Sequence, residues 1–204
     1  FGVSSELAIG PALALGVSES SLIEMTGAYA GILNGGFSVF PYGLEELRLL
    51  GDKMPLAGRT GGIGERVINE EAAKALTFMM YQVVQVGTGQ RAKIQGVEIA
   101  GKTGTTQSFR DAWFIGFTSD FVVGVWIGND DNTPLKGVTG GTIPAEIWYE
   151  TMKVIINQSR PGPLPMMRKK PAVTNSLEAA KKKQNSLTEN RIFGAIWDIL
   201  IGKN

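Results

Sequence analysis

Two apolar segments joined by only two residues constrain the fold of this chain more than any other feature of its sequence. Residues 112–118 and 121–127 are rich in aromatic and β-branched side chains, and only Ser119 and Asp120 lie between them. A connection that short requires two strands to pair in antiparallel fashion. Both segments are apolar at consecutive positions, which predicts that other elements cover both faces of the hairpin.

Helical patterns flank this hairpin and predict the layers that cover it. Ser21 and Glu24 have the spacing of a capping box, and Asn69 is a good N-cap before two glutamates. Gly35 and Gly36 suit the end of the first helix. Three helices are therefore predicted, over residues 21–34, from 69 to about 86, and from near 142 to about 157.

Shorter extended segments complete the predicted sheet. Residues 37–40 indicate a short strand, and residues 97–100 lead into a further strand over 102–106. The glycine-rich stretch 44–64 is predicted to form turns and loops. Helices packed on an antiparallel sheet make an α/β fold of the α+β kind.

Composition divides the chain into three regions. Residues 1–158 contain the predicted strands and helices of one domain. Residues 159–187 are rich in proline and lysine, which predicts a solvated linker. Residues 188–204 have apolar side chains at helical spacing. They predict an amphipathic C-terminal helix that docks on the domain, meets a partner or lies on a membrane surface.

The composition also excludes several classes of chemistry. Cysteine and histidine are absent, which rules out disulfides, thiolate catalysis, Cys/His zinc sites and proton transfer by histidine. Twenty basic residues against nineteen acidic ones give a formal charge of +1, which does not favour nucleic acid as a partner. No apolar run reaches the ~18 residues of a membrane-spanning helix. We predict no metal and no cofactor.

A string at residues 96–103, Gly-Val-Glu-Ile-Ala-Gly-Lys-Thr, fits the phosphate-loop pattern G-x-x-x-x-G-K-T. Its context argues against a nucleotide site, because the segment before it is a poor apolar strand. The β-branched Val97 and Ile99 alternate as in a strand instead of forming a loop. The residues after Thr103 disfavour the helix that has to follow a phosphate cradle. A P-loop NTPase therefore stays a remote alternative.

The same residues have a coherent chemistry as the exposed edge of a strand. Side chains alternate along a strand, so Thr103 and Thr105 share one face while Lys102 and Gly104 share the other. Gly104 lets a ligand backbone approach closely, and an extended peptide can pair with a free edge. Threonine hydroxyls can hold a terminal carboxylate, and a backbone N–H can stabilise an oxyanion. A plain solvent-facing strand end is the other interpretation of these four residues.

The ordered motifs around this tetrapeptide resemble one family of enzymes. Lys-Thr-Gly at residues 102–104 is the third signature motif of penicillin-binding proteins and serine β-lactamases. The resemblance covers about residues 1–158 and is to the class A, bifunctional penicillin-binding proteins in particular. It is carried by Arg-Asp-Ala-Trp-Phe-Ile-Gly-Phe-Thr at 110–118, Val-Trp-Ile-Gly-Asn-Asp-Asp at 125–131, Gly-Gly-Thr-Ile-Pro-Ala-Glu-Ile-Trp at 140–148, and the upstream segments 11–16 and 34–36.

This resemblance implies a D-alanyl-D-alanine transpeptidase of the penicillin-binding protein and serine β-lactamase fold, on the periplasmic side of the bacterial inner membrane. Its partners are then peptidoglycan stem peptides and β-lactams. The family pattern implies that Lys102 lies beside the nucleophile and tunes proton transfer. The hydroxyls of Thr103 and Thr105, on either side of Gly104, bind the substrate carboxylate. The backbone N–H of Thr105 forms half of the oxyanion hole.

The nucleophile of that family has no counterpart in these residues. Neither Ser-x-x-Lys nor Ser-x-Asn occurs in the 204 residues. In the family both motifs precede the matched region, as do a glycosyltransferase domain and the membrane anchor. We therefore expect the C-terminal part of a transpeptidase domain, incomplete at its N-terminal side, inactive alone, and partnered by the rest of the domain. A non-catalytic interaction module that retains the fold is the alternative.

Overall fold

The computed structural model describes residues 1–11, 13, 16–58 and 62–168 of the chain. Within these ranges the chain forms helices, strands and short 3₁₀ turns, among them Gln90–Ala92 and Gln107–Phe109. The predicted helix over residues 188–204 and most of the predicted linker lie outside the described residues. The elements are, in chain order, α1 (Leu22–Leu33), β1 (Phe37–Val39), β2 (Ile63–Arg66), α2 (Glu70–Gln85), β3 (Ala100–Thr105), β4 (Asp111–Phe117), β5 (Val122–Gly128) and α3 (Ile143–Ile156).

Strands β3, β4 and β5 form an antiparallel sheet in that order, which confirms the predicted hairpin. Phe117 of β4 pairs with Val122 of β5 beside the two-residue connection. On its other side β4 pairs with β3, from Ala100 opposite Phe117 to Thr105 opposite Ala112. β1 and β2 form a separate antiparallel pair. The three-stranded sheet therefore has β3 at one edge.

One face of this sheet, the α3 face, packs against α3. Phe114 of β4 and Trp148 of α3 are fully buried, with ring centroids 5.5 Å apart. The Trp148 indole N–H donates to the carbonyls of Gly116 at 3.2 Å and Val123 at 3.1 Å. This shared donor ties the helix to both strands of the hairpin. Thr103 lies opposite Phe114 and so shares the α3 face.

The other face, the α1 face, packs against α1 and α2 at one end. Phe117 and Ala100 are fully buried there, in a cluster that includes Met80 of α2 and, partly buried, Tyr29 of α1. Burial raises the pKa of the Tyr29 hydroxyl to about 12. Both helices therefore cover this end of the α1 face.

The opposite end of the α1 face is open within the described residues. Trp113 and Trp126 lie there with ring centroids 6.5 Å apart, and Trp126 is 42% exposed. β4 is largely buried, as expected, but β5 is only half-buried along its length. The expectation that both faces of the hairpin are covered is therefore wrong for β5. The reason is that α1 contacts β5 around Gly124 and leaves Trp126 uncovered.

The helix termini form as their sequences predict. At the start of α1, Glu24 N–H donates to Ser21 Oγ at 3.3 Å, and the Glu24 carboxylate accepts from Ser21 N–H at 3.1 Å, as a capping box requires. At its end, Gly36 N–H donates to the Gly31 carbonyl at 2.9 Å, the long bond of a Schellman motif. The Asn69 side chain caps α2. Local sequence therefore fixes where these helices begin and end.

Two strand predictions need correction. The strand predicted over residues 102–106 runs over Ala100–Thr105, and of the lead-in predicted at residues 97–100 only Ala100 belongs to it. Gly96 has a φ of +79°, a left-handed conformation that turns the chain before the strand. β2 overlaps the end of the stretch predicted to be loops and pairs with β1. It forms because β1 offers a partner edge, which local composition does not reveal.

The chain still contacts this domain beyond residue 158. Leu164 is 2% exposed and packs with Phe117, and its N–H donates to the Glu98 carboxylate at 2.8 Å. The compact unit runs from Phe1 to Met167. In the part of the chain that the structure describes, no helix combines the length and the hydropathy needed to cross a bilayer.

Glu24 connects the N-terminal segment to α1. Its carboxylate accepts hydrogen bonds from the hydroxyls of Ser4 and Ser5, at 2.5 Å each, in addition to the bonds from Ser21. These bonds, and first of all those from the Ser4 and Ser5 hydroxyls, hold the pKa of Glu24 well below its ordinary range. The ionised form of Glu24 therefore stabilises the folded chain.

We expect Glu24→Gln to lower the urea midpoint of unfolding at neutral pH. Since the Glu24 pKa is lower in the folded than in the unfolded chain, its stabilisation is complete above the ordinary carboxyl pKa of about 4.3 and is lost as the pH falls below it. The difference between wild type and variant should shrink from about pH 5 to about pH 2. Urea titrations over this range measure it, with the exposed Glu19→Gln as control. A difference that does not change with pH contradicts this role of Glu24.

Candidate active site

The backbone of β3 leaves one row of hydrogen-bonding groups outside the sheet. Thr106 N–H, just after β3, donates to the Asp111 carbonyl of β4 at 3.0 Å, so these two residues are a hydrogen-bonded pair. Hydrogen-bonded and non-hydrogen-bonded pairs alternate in an antiparallel ladder, so Gly104 also bonds to β4. The N–H and C=O groups of Thr103 and Thr105 therefore point to the free edge.

The conformation of residues 102–105 contradicts a phosphate loop. A phosphate cradle requires a loop that leads directly into a helix, whose N-terminus faces the phosphates. Lys102 and Thr103 lie instead inside strand β3, and only a short 3₁₀ turn, Gln107–Phe109, follows. The NTPase alternative is therefore wrong, and the extended conformation predicted for these residues is confirmed.

Lys102 brings a positive charge to the free edge. Its residue lies opposite Ile115 on the α1 face, and its side chain is exposed. The Nζ atom donates to the carbonyl oxygen of Thr103 at 2.8 Å. An ammonium group at this position favours an anionic ligand or an anionic transition state beside the strand.

Two threonine hydroxyls lie on the α3 face, on either side of Gly104. Thr105 Oγ1 accepts a hydrogen bond from Gly140 N–H at 3.0 Å. Thr103 Oγ1 lies 2.7 Å from Thr88 Oγ1, and either hydroxyl of that pair can donate. Thr105 is exposed and Thr103 is half-buried. A ligand at the free edge can therefore reach both hydroxyls.

The turn that precedes α3 lies directly on β3. Gly140 is buried over the Gly104 peptide, where a Cβ on residue 140 would come within 2.5 Å of the Gly104 carbonyl oxygen. The Thr142 hydroxyl fixes this turn, because it accepts from Thr139 N–H at 2.9 Å and donates to the Thr139 carbonyl at 2.7 Å. Residue 140 has to be glycine for the turn to reach the strand.

The loop between β3 and β4 fixes the backbone at the C-terminal end of β3. Ser108 and Phe109 have φ values of 65° and 55°, a left-handed conformation that is strained for residues other than glycine. Asp111 holds this loop, because its N–H donates to Thr106 Oγ1 at 2.8 Å and its carboxylate accepts from the Trp126 indole at 2.9 Å. The backbone that follows β3 is therefore fixed by side-chain contacts to both neighbouring strands.

The sequence patterns do not identify two contributors to this site, Thr88 and Gly140. Both are distant from β3 along the chain: Thr88 lies in the loop after α2, and Gly140 lies in the turn before α3. The one sequence signal that could have indicated them is the glycine beside each residue: Gly87 and Gly89 flank Thr88, and Gly141 follows Gly140. A Cβ on Gly141 would collide with the Thr88 carbonyl oxygen, so these loops approach each other closely. Glycine pairs of this kind indicate backbone contact but not the strand that is contacted.

Comparison with known proteins agrees with the fold and with the ordered motifs. The penicillin binding protein transpeptidase domain matches residues 3–153. The chain therefore belongs to the penicillin-binding protein transpeptidase family. Its layers of helices on an antiparallel sheet are those of this family's fold.

The similar proteins include penicillin-binding proteins 1A from several bacteria. Penicillin-binding protein 1A of Neisseria lactamica is 35% identical over 165 residues, which are 78% of this chain and 20% of that protein. The crystal structure of penicillin-binding protein 1A from Haemophilus influenzae superposes with a TM-score of 0.65 at 26% identity, over 80% of this chain and 30% of that one. For PonA1 from Mycobacterium tuberculosis the TM-score is 0.67 at 25% identity, over 76% and 43%. The chain spans about a fifth of the length of the curated relatives it matches.

We expect Gly140→Ala to displace the turn from β3. The added methyl group has no room above the Gly104 peptide, so the chain should lose about 1–3 kcal/mol of stability, the usual cost of overpacking. Urea unfolding measures this loss. Gly43→Ala is the matched control, because a Cβ on Gly43 would meet nothing within 4 Å. Equal effects of the two substitutions would contradict the close contact at Gly140.

Proposed function

We propose that this chain forms the substrate-carboxylate and oxyanion side of a peptidoglycan D-alanyl-D-alanine transpeptidase site. The observation that carries the proposal is the free edge of β3, where the N–H of Thr105, two threonine hydroxyls and the Lys102 ammonium group lie together. Membership of the transpeptidase family supports it. In this family the reaction cross-links the cell wall through an acyl-enzyme, and β-lactams acylate the same serine.

Substrate binding follows from the geometry of the edge. An extended stem peptide can lie along β3 as an added strand and use the outward groups of Thr103 and Thr105. Its terminal carboxylate then meets the hydroxyls of those two residues. The ammonium group of Lys102, which binds the Thr103 carbonyl from the other face of β3, adds a favourable charge beside this edge. Binding of this kind requires a free carboxylate, which D-alanyl-D-alanine and penicillins both have.

The chemical step uses the same edge. The serine hydroxyl attacks the carbonyl carbon of the penultimate D-alanine, and the carbonyl oxygen becomes an oxyanion. The N–H of Thr105 donates to this oxyanion together with the N–H of the serine, and one such donor contributes about 10²–10³ in rate. The C–N bond then breaks, and the terminal D-alanine leaves as an amine after gaining the proton that the serine hydroxyl gave up in its attack. The amine of a second stem peptide attacks the ester, which forms the cross-link and restores the serine.

The serine itself has to come from residues outside this sequence, because Ser-x-x-Lys does not occur in it. The open end of the α1 face, with Trp113, the exposed Trp126 and Lys102, is the surface on which we place the segment that carries it. An aromatic pair with one exposed ring, Trp126, next to the proposed site favours this arrangement over a self-contained interaction module. In the same proposal the domain functions on the periplasmic side of the inner membrane.

Acylation by a fluorescent penicillin tests the proposal. The 204-residue chain alone should form no covalent adduct, because it has no activated serine. A polypeptide that joins this chain to a segment with Ser-x-x-Lys and Ser-x-Asn should be labelled. Thr105→Val in the joined polypeptide should slow labelling by roughly tenfold, since one hydrogen bond to the charged carboxylate is lost.

Mass spectrometry of the labelled peptide distinguishes the outcomes. Label on a serine of this chain overturns the assignment of the nucleophile. Labelling that Thr105→Val leaves unchanged overturns the carboxylate role. A joined polypeptide that folds, by its thermal transition, but is never labelled favours the non-catalytic module.

A further inference from the structure

We propose that Thr88 is a positioning residue for the carboxylate grip, by which we mean the two hydroxyls of Thr103 and Thr105 that bind the substrate carboxylate. The Thr88 hydroxyl fixes the direction in which Thr103 donates its proton. The inference rests on the proposed function and adds a residue from a different part of the chain. The observation behind it is the 2.7 Å contact between Thr88 Oγ1 and Thr103 Oγ1.

The number of protons requires one direction for this hydrogen bond when a carboxylate is bound. A hydroxyl has one proton to donate, and an ionised carboxylate can only accept. If Thr103 donates to the ligand, its oxygen has to be the acceptor from Thr88. Thr88 then occupies one of the two acceptor lone pairs of the Thr103 oxygen. A hydroxyl that accepts one hydrogen bond is also a stronger donor in the next.

Thr105 is arranged in the same way by a backbone group. Gly140 N–H is a donor only, and it lies 3.0 Å from Thr105 Oγ1. The Thr105 proton is therefore free for another acceptor. With a carboxylate bound, the two hydroxyls beside Gly104 each receive a hydrogen bond from outside β3, one from Thr88 and one from Gly140. Both protons are thereby available to one ligand at the free edge.

The Thr88 side chain is held by a well-anchored loop. The N–H groups of Gly87 and Gly89 both donate to the carbonyl of Val83, at 3.1 Å and 3.0 Å, which closes the end of α2. The close approach of Gly141 to the Thr88 carbonyl supports the loop from the other side. Thr88 is exposed, so it is not needed to fill the core. Removal of the Thr88 hydroxyl would therefore change mainly its contact with the Thr103 hydroxyl.

The experiment compares two ligands that differ only in the carboxylate: benzylpenicillin and its methyl ester. Second-order acylation rate constants are measured in the polypeptide that carries this chain together with the nucleophilic serine. Thr88→Val should slow acylation by benzylpenicillin roughly tenfold, the effect of weakening one hydrogen bond to a charged group, and leave the ester unchanged. Thr88→Ser keeps the hydroxyl and should behave as wild type. In a Thr103→Val background, Thr88→Val should have no further effect.

Each other outcome overturns the inference. If Thr88→Val slows both ligands equally, or slows neither, Thr88 does not act through the carboxylate. If the Thr88→Val effect persists in the Thr103→Val background, it does not act through Thr103. If Thr103→Val and Thr105→Val also leave the preference for benzylpenicillin over its ester unchanged, the carboxylate grip of the proposed function fails with it. If Thr88→Val slows acylation by benzylpenicillin and Thr103→Val does not, Thr88 does not act through Thr103.

Discussion

The alternation of hydrogen bonds between β3 and β4 is the constraint on which the rest of the site depends. Once the residues at 106 and 111 form a bonded pair, the ladder turns the N–H and C=O groups of Thr103 and Thr105 outward. A shift of the register by one residue would turn those groups into the sheet and would exchange the faces of every side chain on β3. The position of the outward-facing edge of β3 is therefore fixed by sheet pairing, before any side chain takes part.

Packing on the α3 face keeps this register in place. Trp148 binds both strands of the hairpin through one indole N–H, and the turn at Gly140 lies on the Gly104 peptide. These contacts leave the edge of β3 and the far end of the α1 face open. Within the described residues, the surface beside β3 therefore has room for a further segment, as the proposed function requires.

The sequence predicts those parts of the molecule that local chemistry determines. The capping box at Ser21, the cap at Asn69 and the short connection of the hairpin each specify a structure within a few residues of chain, and the structure agrees. The edge strand at Lys102 is predicted because its threonines and glycine disfavour the helix that a phosphate loop needs. What the sequence does not predict depends on contacts across the chain. β2 forms only beside β1, and Thr88 meets Thr103 only after α2 and α3 have packed on the sheet.

Amide hydrogen exchange at residues 102–105, resolved by NMR, is the most direct test of the open edge. We expect an alternating pattern, with the amides of Lys102 and Gly104 protected by β4 and those of Thr103 and Thr105 exchanging quickly. Protection of all four amides would mean that the edge is sealed by another part of the chain. Either that result or fast exchange of all four would contradict the assignment of this strand as the substrate edge.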